Sequence, residues 1–217
     1  MQKNSENTGG VLTFLSTLII GILNAYSVVF NQSTLISAQT GNLINLGIKL
    51  SRGDLKLAYS NFDLLIGFAM GCIFASLMIK KNAQNYLYGW SVFSLIIWVN
   101  TLFQNSIDIN LSILSFSFIS GLALTLFRNF GESNLNNGIM TGNLKNMYVN
   151  ATLSFKKREK QSKGTLKDIF VIVFTFFSGG VIGGFVCSFG KLAILTLTSI
   201  LCVIPFALKI QQGIIRR

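Results

Sequence analysis

Six apolar runs, almost without charge, dominate the chain: Val11 to Phe30, Phe62 to Ile79, Tyr86 to Phe103, Leu111 to Phe127, Ile169 to Phe189 and Leu192 to Leu208. At about 1.5 Å per residue, a helix of about 20 residues crosses the ~30 Å hydrocarbon core of a bilayer, and slightly shorter ones reach with snorkelling flanks. Lipid offers no partner to an unpaired peptide group, and the runs lack the alternation of barrel strands, so they must be helices. Only 12% of the 217 residues are charged, against about 25% in soluble domains. The expectation is one all-α integral membrane domain with the lipid bilayer as its partner. The first run is long for a signal peptide and has no A-x-A cleavage site, so it is read as a retained span.

What the chain lacks narrows its chemistry. With no histidine, there is no imidazole to ligate a metal, activate a nucleophile or relay a proton. Cys72, Cys187 and Cys202 stand alone inside apolar runs, without C-x-x-C spacing, and read as small core or lipid-facing residues rather than disulfide or metal ligands. No enzyme activity, cofactor or metal is expected. The net charge of +11 is read as the Lys/Arg excess of cytoplasmic loops rather than a nucleic-acid surface. Its densest stretch runs from Lys156 to Lys167, where contact with anionic lipid is the second reading.

Two weaker segments, Thr34 to Leu50 and Gly138 to Phe155, carry a repeat. The first contains Gln39-Thr40-Gly41-Asn42-Leu43-Ile44-Asn45 and the second Met140-Thr141-Gly142-Asn143-Leu144-Lys145-Asn146. The two T-G-N motifs are 141 − 40 = 101 residues apart, close to half the chain. Gly21 precedes Thr40 by 19 residues and Gly121 precedes Thr141 by 20, and Asp63 and Asp168 follow at span entrances, where both read as helix caps. Small residues around Gly71 and Ala75 parallel those around Gly179, Gly180, Gly183 and Gly184, and all read as helix-packing faces. The chain is therefore read as two tandem repeats, near residues 1–105 and 106–217.

The stretch Gly21-Ile22-Leu23-Asn24-Ala25-Tyr26, then Ala38-Gln39-Thr40-Gly41-Asn42, Gly121-Leu122, Phe127-Arg128 and Met140-Thr141-Gly142-Asn143-Leu144, resembles the YoaK-type membrane proteins of the DUF1275 family. The resemblance covers nearly the whole chain. It implies a bacterial polytopic protein of the inner membrane, from a family without an established function, some of whose members are labelled small-molecule transporters. Two departures stand out: the family usually has an acid where this chain has Asn24, and often a glutamine where it has Ala123. The loss of the acid at Asn24 argues against proton coupling through that position.

Charge counting leaves the path of the T-G-N segments open. If both cross, one side holds 13 basic residues and the other 4; if neither crosses, Lys49, Arg52 and Lys56 trade places with Lys80, Lys81 and Arg128 and the count is unchanged. Either way the N-terminus, the Lys156 to Lys167 loop and the C-terminus are cytoplasmic. Eight spans, six firm and two shorter T-G-N helices, are favoured on the length of Thr34 to Leu50, which makes the repeats parallel.

Asparagine amides and glycines inside a membrane support two readings. They bond and pack the halves together, or they line a polar cavity for a small polar or anionic solute. The residues of that cavity are expected to be Asn24, Gln39, Thr40, Gly41, Asn42, Asn45, Thr141, Gly142, Asn143 and Asn146, with Arg128 drawing in an anionic group. The expected function is transport or facilitated passage of a small molecule. The competing class is a membrane scaffold or regulatory protein whose motifs only pack helices.

Overall fold

A computed structural model of the chain describes residues 2–31, 34–81, 86–131, 133–135, 140–157 and 160–215. Among them are eight helices: α1 (Gln2–Phe30), α2 (Gln39–Ser51), α3 (Leu55–Lys81), α4 (Tyr86–Leu102), α5 (Ile109–Leu126), α6 (Met140–Lys157), α7 (Lys160–Cys187) and α8 (Lys191–Ile215). A two-stranded antiparallel hairpin, β1 (Asn129–Phe130) and β2 (Ser133–Asn134), precedes α6. Five helices are long and apolar enough to cross a membrane: α1, α3, α5, α7 and α8. The apolar α4, at 17 residues, is slightly shorter. The spans of α1 and α5 are 72% and 56% buried, against 22–28% for α3, α7 and α8, so α1 and α5 form the centre and the other three face outward.

Helix directions follow from which residues meet. On α1 and α7, Gly21 lies against Gly179, and Gly183 lies against Ile22 and Ala25, so the two helices run parallel. On α3 and α5, Gly67 meets Leu114 and Gly71 meets Phe118 and Leu122, again parallel. By contrast, α4 runs against α5, with Trp90 beside Phe127 and Asn100 beside Ser115. It also runs against α8, with Trp90 bonded to Cys202 and Thr101 to Leu195. The start of α8 returns to the end of α1, where Lys191 Nζ lies 5.7 Å from the Phe30 ring centroid. Taken together, α1, α4 and α7 point one way and α3, α5 and α8 the other.

These directions correct the favoured eight-span arrangement, in which α1 and α3 run the same way. The 13-residue α2 is only about 20 Å long, and its segment enters and leaves at one end of the molecule. The chain turns back beside α1, with Thr34 Oγ1 2.9 Å from Ser27 Oγ and Ser37 Oγ 3.0 Å from Asn24 Nδ2. Helix α2 then starts at the depth of Ser117, midway along α5, and climbs back until Lys49 Nζ meets Asn61 Oδ1 near the start of α3. The second motif does the same from the opposite end. The hairpin sits beside the start of α1, through Thr13 Oγ1 donating to the Asn129 carbonyl at 2.8 Å. From Met140, α6 descends along α7, with Met140 and Met147 on Ile169, Ile172 and Leu135.

Two local readings also change. Asp63 and Asp168 are no caps, since both lie well inside their helices, α3 and α7. Asp168 instead accepts a hydrogen bond from Ser133 Oγ at 3.1 Å and abuts Gly131, whose φ of +58° turns the hairpin. The described cap is Asp108, whose carboxylate accepts from the Asn110 N–H at 2.8 Å at the start of α5. Trp90 is a packing residue, fully buried and stacked on Phe93. Its Nε1 donates to the Cys202 carbonyl at 2.9 Å, next to the place where Pro205 deprives α8 of a donor.

Candidate functional site

Where α2 and α6 begin, helices α1 and α7 leave a cavity of about 670 Å³. Residues of both T-G-N motifs stand in its wall. Thr40 and Gly41 come from the first turn of α2, and Thr141, with Met140 and Leu144, from that of α6. Helix α1 supplies Gly21 to Val29 along one side, Asn24 among them, and α7 supplies Phe176, Gly180 and Gly184. The turn between α1 and α2 adds Leu35, Ser37 and Ala38. The α1 and α7 residues lie in the second halves of their helices, so the cavity occupies the end of the molecule away from the hairpin.

The wall is built by identifiable local chemistry. Asn24 is 5% exposed, and its Nδ2 donates to the Ile20 carbonyl at 2.9 Å and to Ser37 Oγ at 3.0 Å, while its Oδ1 has no partner. Gln39 ties the start of α2 to α5, its Nε2 donating to Ser117 Oγ at 3.2 Å and to the Ile36 carbonyl at 2.9 Å. The Ser117 hydroxyl in turn has the carbonyls of Leu64 at 2.6 Å and Ile36 at 3.1 Å as acceptors. One serine thereby joins α5, α3 and the turn before α2. The N-cap of α2 is Ala38, which brings no side-chain oxygen to the helix start.

Of the residues expected to form a polar site, Asn24, Gln39, Thr40, Gly41 and Thr141 meet at this cavity. Asn42 and Asn143 do not reach its wall. Asn42 is buried and its Nδ2 donates to the Leu35 carbonyl at 2.6 Å and to Gln39 Oε1 at 3.2 Å, closing its own turn rather than bonding the halves together. Asn143, also buried, lies 3.8 Å from Met140 Sδ within its own helix. Gly142 falls outside the described wall, and Asn45, Asn146 and Arg128 are exposed away from it. Arg128 closes the hairpin through its carbonyl, which accepts from the Leu135 N–H at 2.7 Å.

The glycines divide as the sequence alone does not divide them. A Cβ on Gly21 would sit 2.5 Å from the Phe176 carbonyl oxygen, and one on Gly179 would strike the Leu18 carbonyl, so these two make the close α1–α7 crossing. Gly41, Gly180 and Gly184 have nothing within 4 Å of a built Cβ. The reading of Gly180 and Gly184 as packing residues is therefore corrected: they face the cavity.

The family described as "Protein of unknown function (DUF1275)" matches residues 12–208. The chain belongs to the DUF1275 family. Among curated relatives it is similar to the "UPF0700 transmembrane protein YoaK" of Bacillus subtilis (strain 168), with 26% identity over 161 residues, 68% of this chain and 71% of that protein. No solved structure matches. The family assignment and the long apolar helices agree on a helical membrane protein in contact with the bilayer. This DUF1275 member places its paired motifs around one cavity, and sequence reasoning missed Ser37, Phe176 and Ser117 in its surroundings. A serine inside an apolar run was the available signal for Ser117.

Proposed function

We propose that this chain carries a small solute across a bacterial inner membrane, through the cavity at which α2 and α6 begin. Six helices cross and the α2 and α6 segments enter and withdraw, the first from one face and the second from the other. Each half then has three crossings, and the halves are inverted repeats. In this arrangement Lys3, Lys80, Lys81, Arg128, the Lys156 to Lys167 loop, Lys209 and the C-terminal arginines share the cytoplasmic face, and Lys49, Arg52, Lys56 and Lys191 lie outside. The termini are cytoplasmic and the cavity lies in the outer half. Beneath it, Leu135, Ile169 and Ile172 with Met140 close the inner side.

The observation that carries this reading is that Thr40 and Gly41 of the first motif and Thr141 of the second, about 100 residues apart in sequence, stand in the wall of a single cavity of ligand size. A motif used only as helix glue would bury its glycine against a neighbour, and Gly41 has no such neighbour. A scaffold role therefore accounts for Gly21 and Gly179 but not for Gly41, Gly180 and Gly184. Transport rather than catalysis also suits a wall whose described residues include no acid, base or thiol.

The test is flux in proteoliposomes holding the full chain, screened with radiolabelled small solutes. Gly180→Leu should abolish the flux of any solute the unaltered protein carries while leaving folded yield and thermal stability intact. Unimpaired flux in that variant would remove the cavity from the pathway.

A further inference from the structure

We infer that the cavity selects a small organic monoanion that carries its own hydrogen-bond donor, such as a hydroxy or amino carboxylate. The inference rests on reading the cavity as a solute site, and it adds the chemistry of the solute.

Three observations carry it. First, both short helices present their N-terminal turns to the cavity, through Thr40 and Gly41 of α2 and Thr141 of α6. A helix N-terminus carries about half a positive charge and N–H groups without acceptors inside the helix. Two such ends amount to about one positive charge, the complement of one carboxylate. Helix α2 in particular begins without a capping side chain, so the N–H groups of its first turn are not taken by its own N-cap residue.

Second, the described wall contains no charged side chain, so the helix ends are the strongest local field. Nothing in it offsets that field in favour of a cation. Third, Asn24 stands in the same wall, 5% exposed, with its Oδ1 unpartnered. Its orientation is set, because both Nδ2 hydrogens are used on Ile20 and Ser37. A buried carbonyl-type oxygen without a donor is costly, and a ligand hydroxyl or ammonium would satisfy it. A ligand of that kind places its carboxylate at the helix ends and its donor at Asn24.

Equilibrium binding to the purified full chain tests this with matched radiolabelled probes of two to six carbons. The set comprises hydroxy and amino carboxylates, the same carboxylates without the donor, the corresponding neutral amides, and amines. The tightest probe should be a hydroxy or amino carboxylate. Its donor-free counterpart should bind at least ten-fold more weakly, and its amide at least a hundred-fold more weakly. Asn24→Asp retains an acceptor but adds negative charge. It should weaken binding of that probe at least ten-fold at pH 8, with recovery as the pH falls and the new carboxyl protonates; the ratio of its affinity to that of the neutral amide should follow this profile, whereas loss of the Nδ2 bonds to Ile20 and Ser37 would alter both probes alike. If an amide, an amine or a donor-free carboxylate binds best, the inference falls and the solute site stands. If no probe binds, both fall.

Discussion

Gly179 and Gly180 are adjacent in sequence and both lie in α7, yet the structure assigns them opposite responses to the same methyl group. A Cβ on Gly179 would be forced into the Leu18 carbonyl and would lie 3.1 Å from Gly21 Cα and 3.2 Å from the Ile22 nitrogen, all backbone atoms of α1. Backbone cannot rotate aside as a side chain does, so α1 and α7 must separate along their crossing. Overpacking of this kind costs about 1–3 kcal/mol. On Gly180 the methyl meets nothing within 4 Å, and alanine in place of glycine in a helix gains about 0.5–1 kcal/mol. The two variants should therefore differ by about 1.5–4 kcal/mol. In a chain of this length that corresponds to Tm values separated by about 3–16 °C, using about 2–4 °C per kcal/mol. Thermal unfolding of the purified protein, followed by tryptophan fluorescence, measures the difference. Gly179→Ala must fall below the unaltered protein and Gly180→Ala must equal or exceed it. Equal Tm values, or a Gly180→Ala protein that is the less stable, would refute the division of the α7 glycines into packing and cavity faces.

Trp90→Phe keeps the ring in its stack but removes the bond to the Cys202 carbonyl, and should cost about 1–2 kcal/mol, read as a Tm loss of a few degrees. Gly131→Val meets both a positive φ and the Asp168 carboxylate, and should destabilise by about 1–3 kcal/mol, whereas Ser133→Ala, which removes one hydrogen bond to that carboxylate, should cost less. Ser117→Ala leaves Gln39 Nε2 without its partner on α5 and should lower solute flux more than it lowers Tm, because the start of α2 loses its tie to the bundle. A cysteine replacing Lys81, in a chain whose three native cysteines are changed to alanine, should react with an impermeant thiol reagent only from the cytoplasmic side; labelling from outside would restore the eight-span order.

Hydropathy made the crossing helices legible, because a run such as Ile169 to Phe189 has no stable place except in lipid or a core. The paths of α2 and α6 were not legible, for a specific reason: entering or crossing exchanges one set of three basic residues for another, so the charge asymmetry is the same both ways. Only the meeting of Gln39 with Ser117 and of Ser27 with Thr34 fixes the turn. The motifs marked the right place but not each role. Thr40, Gly41 and Thr141 face the cavity, while Asn42 spends its amide on its own turn. Nor does sequence separate Gly179 from Gly180, since the 100° between neighbouring helix positions has meaning only once the partner helix is in place. Ser37 and Phe176 carry no pattern of their own; a turn and a parallel neighbour bring them to the wall.

In the proposed topology, residues of both motifs border one space open to the outer half of the molecule. Single cysteines at Thr40 and at Thr141, in the same cysteine-free background, test it in intact cells with a small membrane-impermeant thiol reagent added outside. Both positions should react, and a bulky side chain at Gly180 should slow both. Reaction at neither position would mean a dry interface, and reaction at Thr40 alone would mean that the two helix ends do not share a cavity.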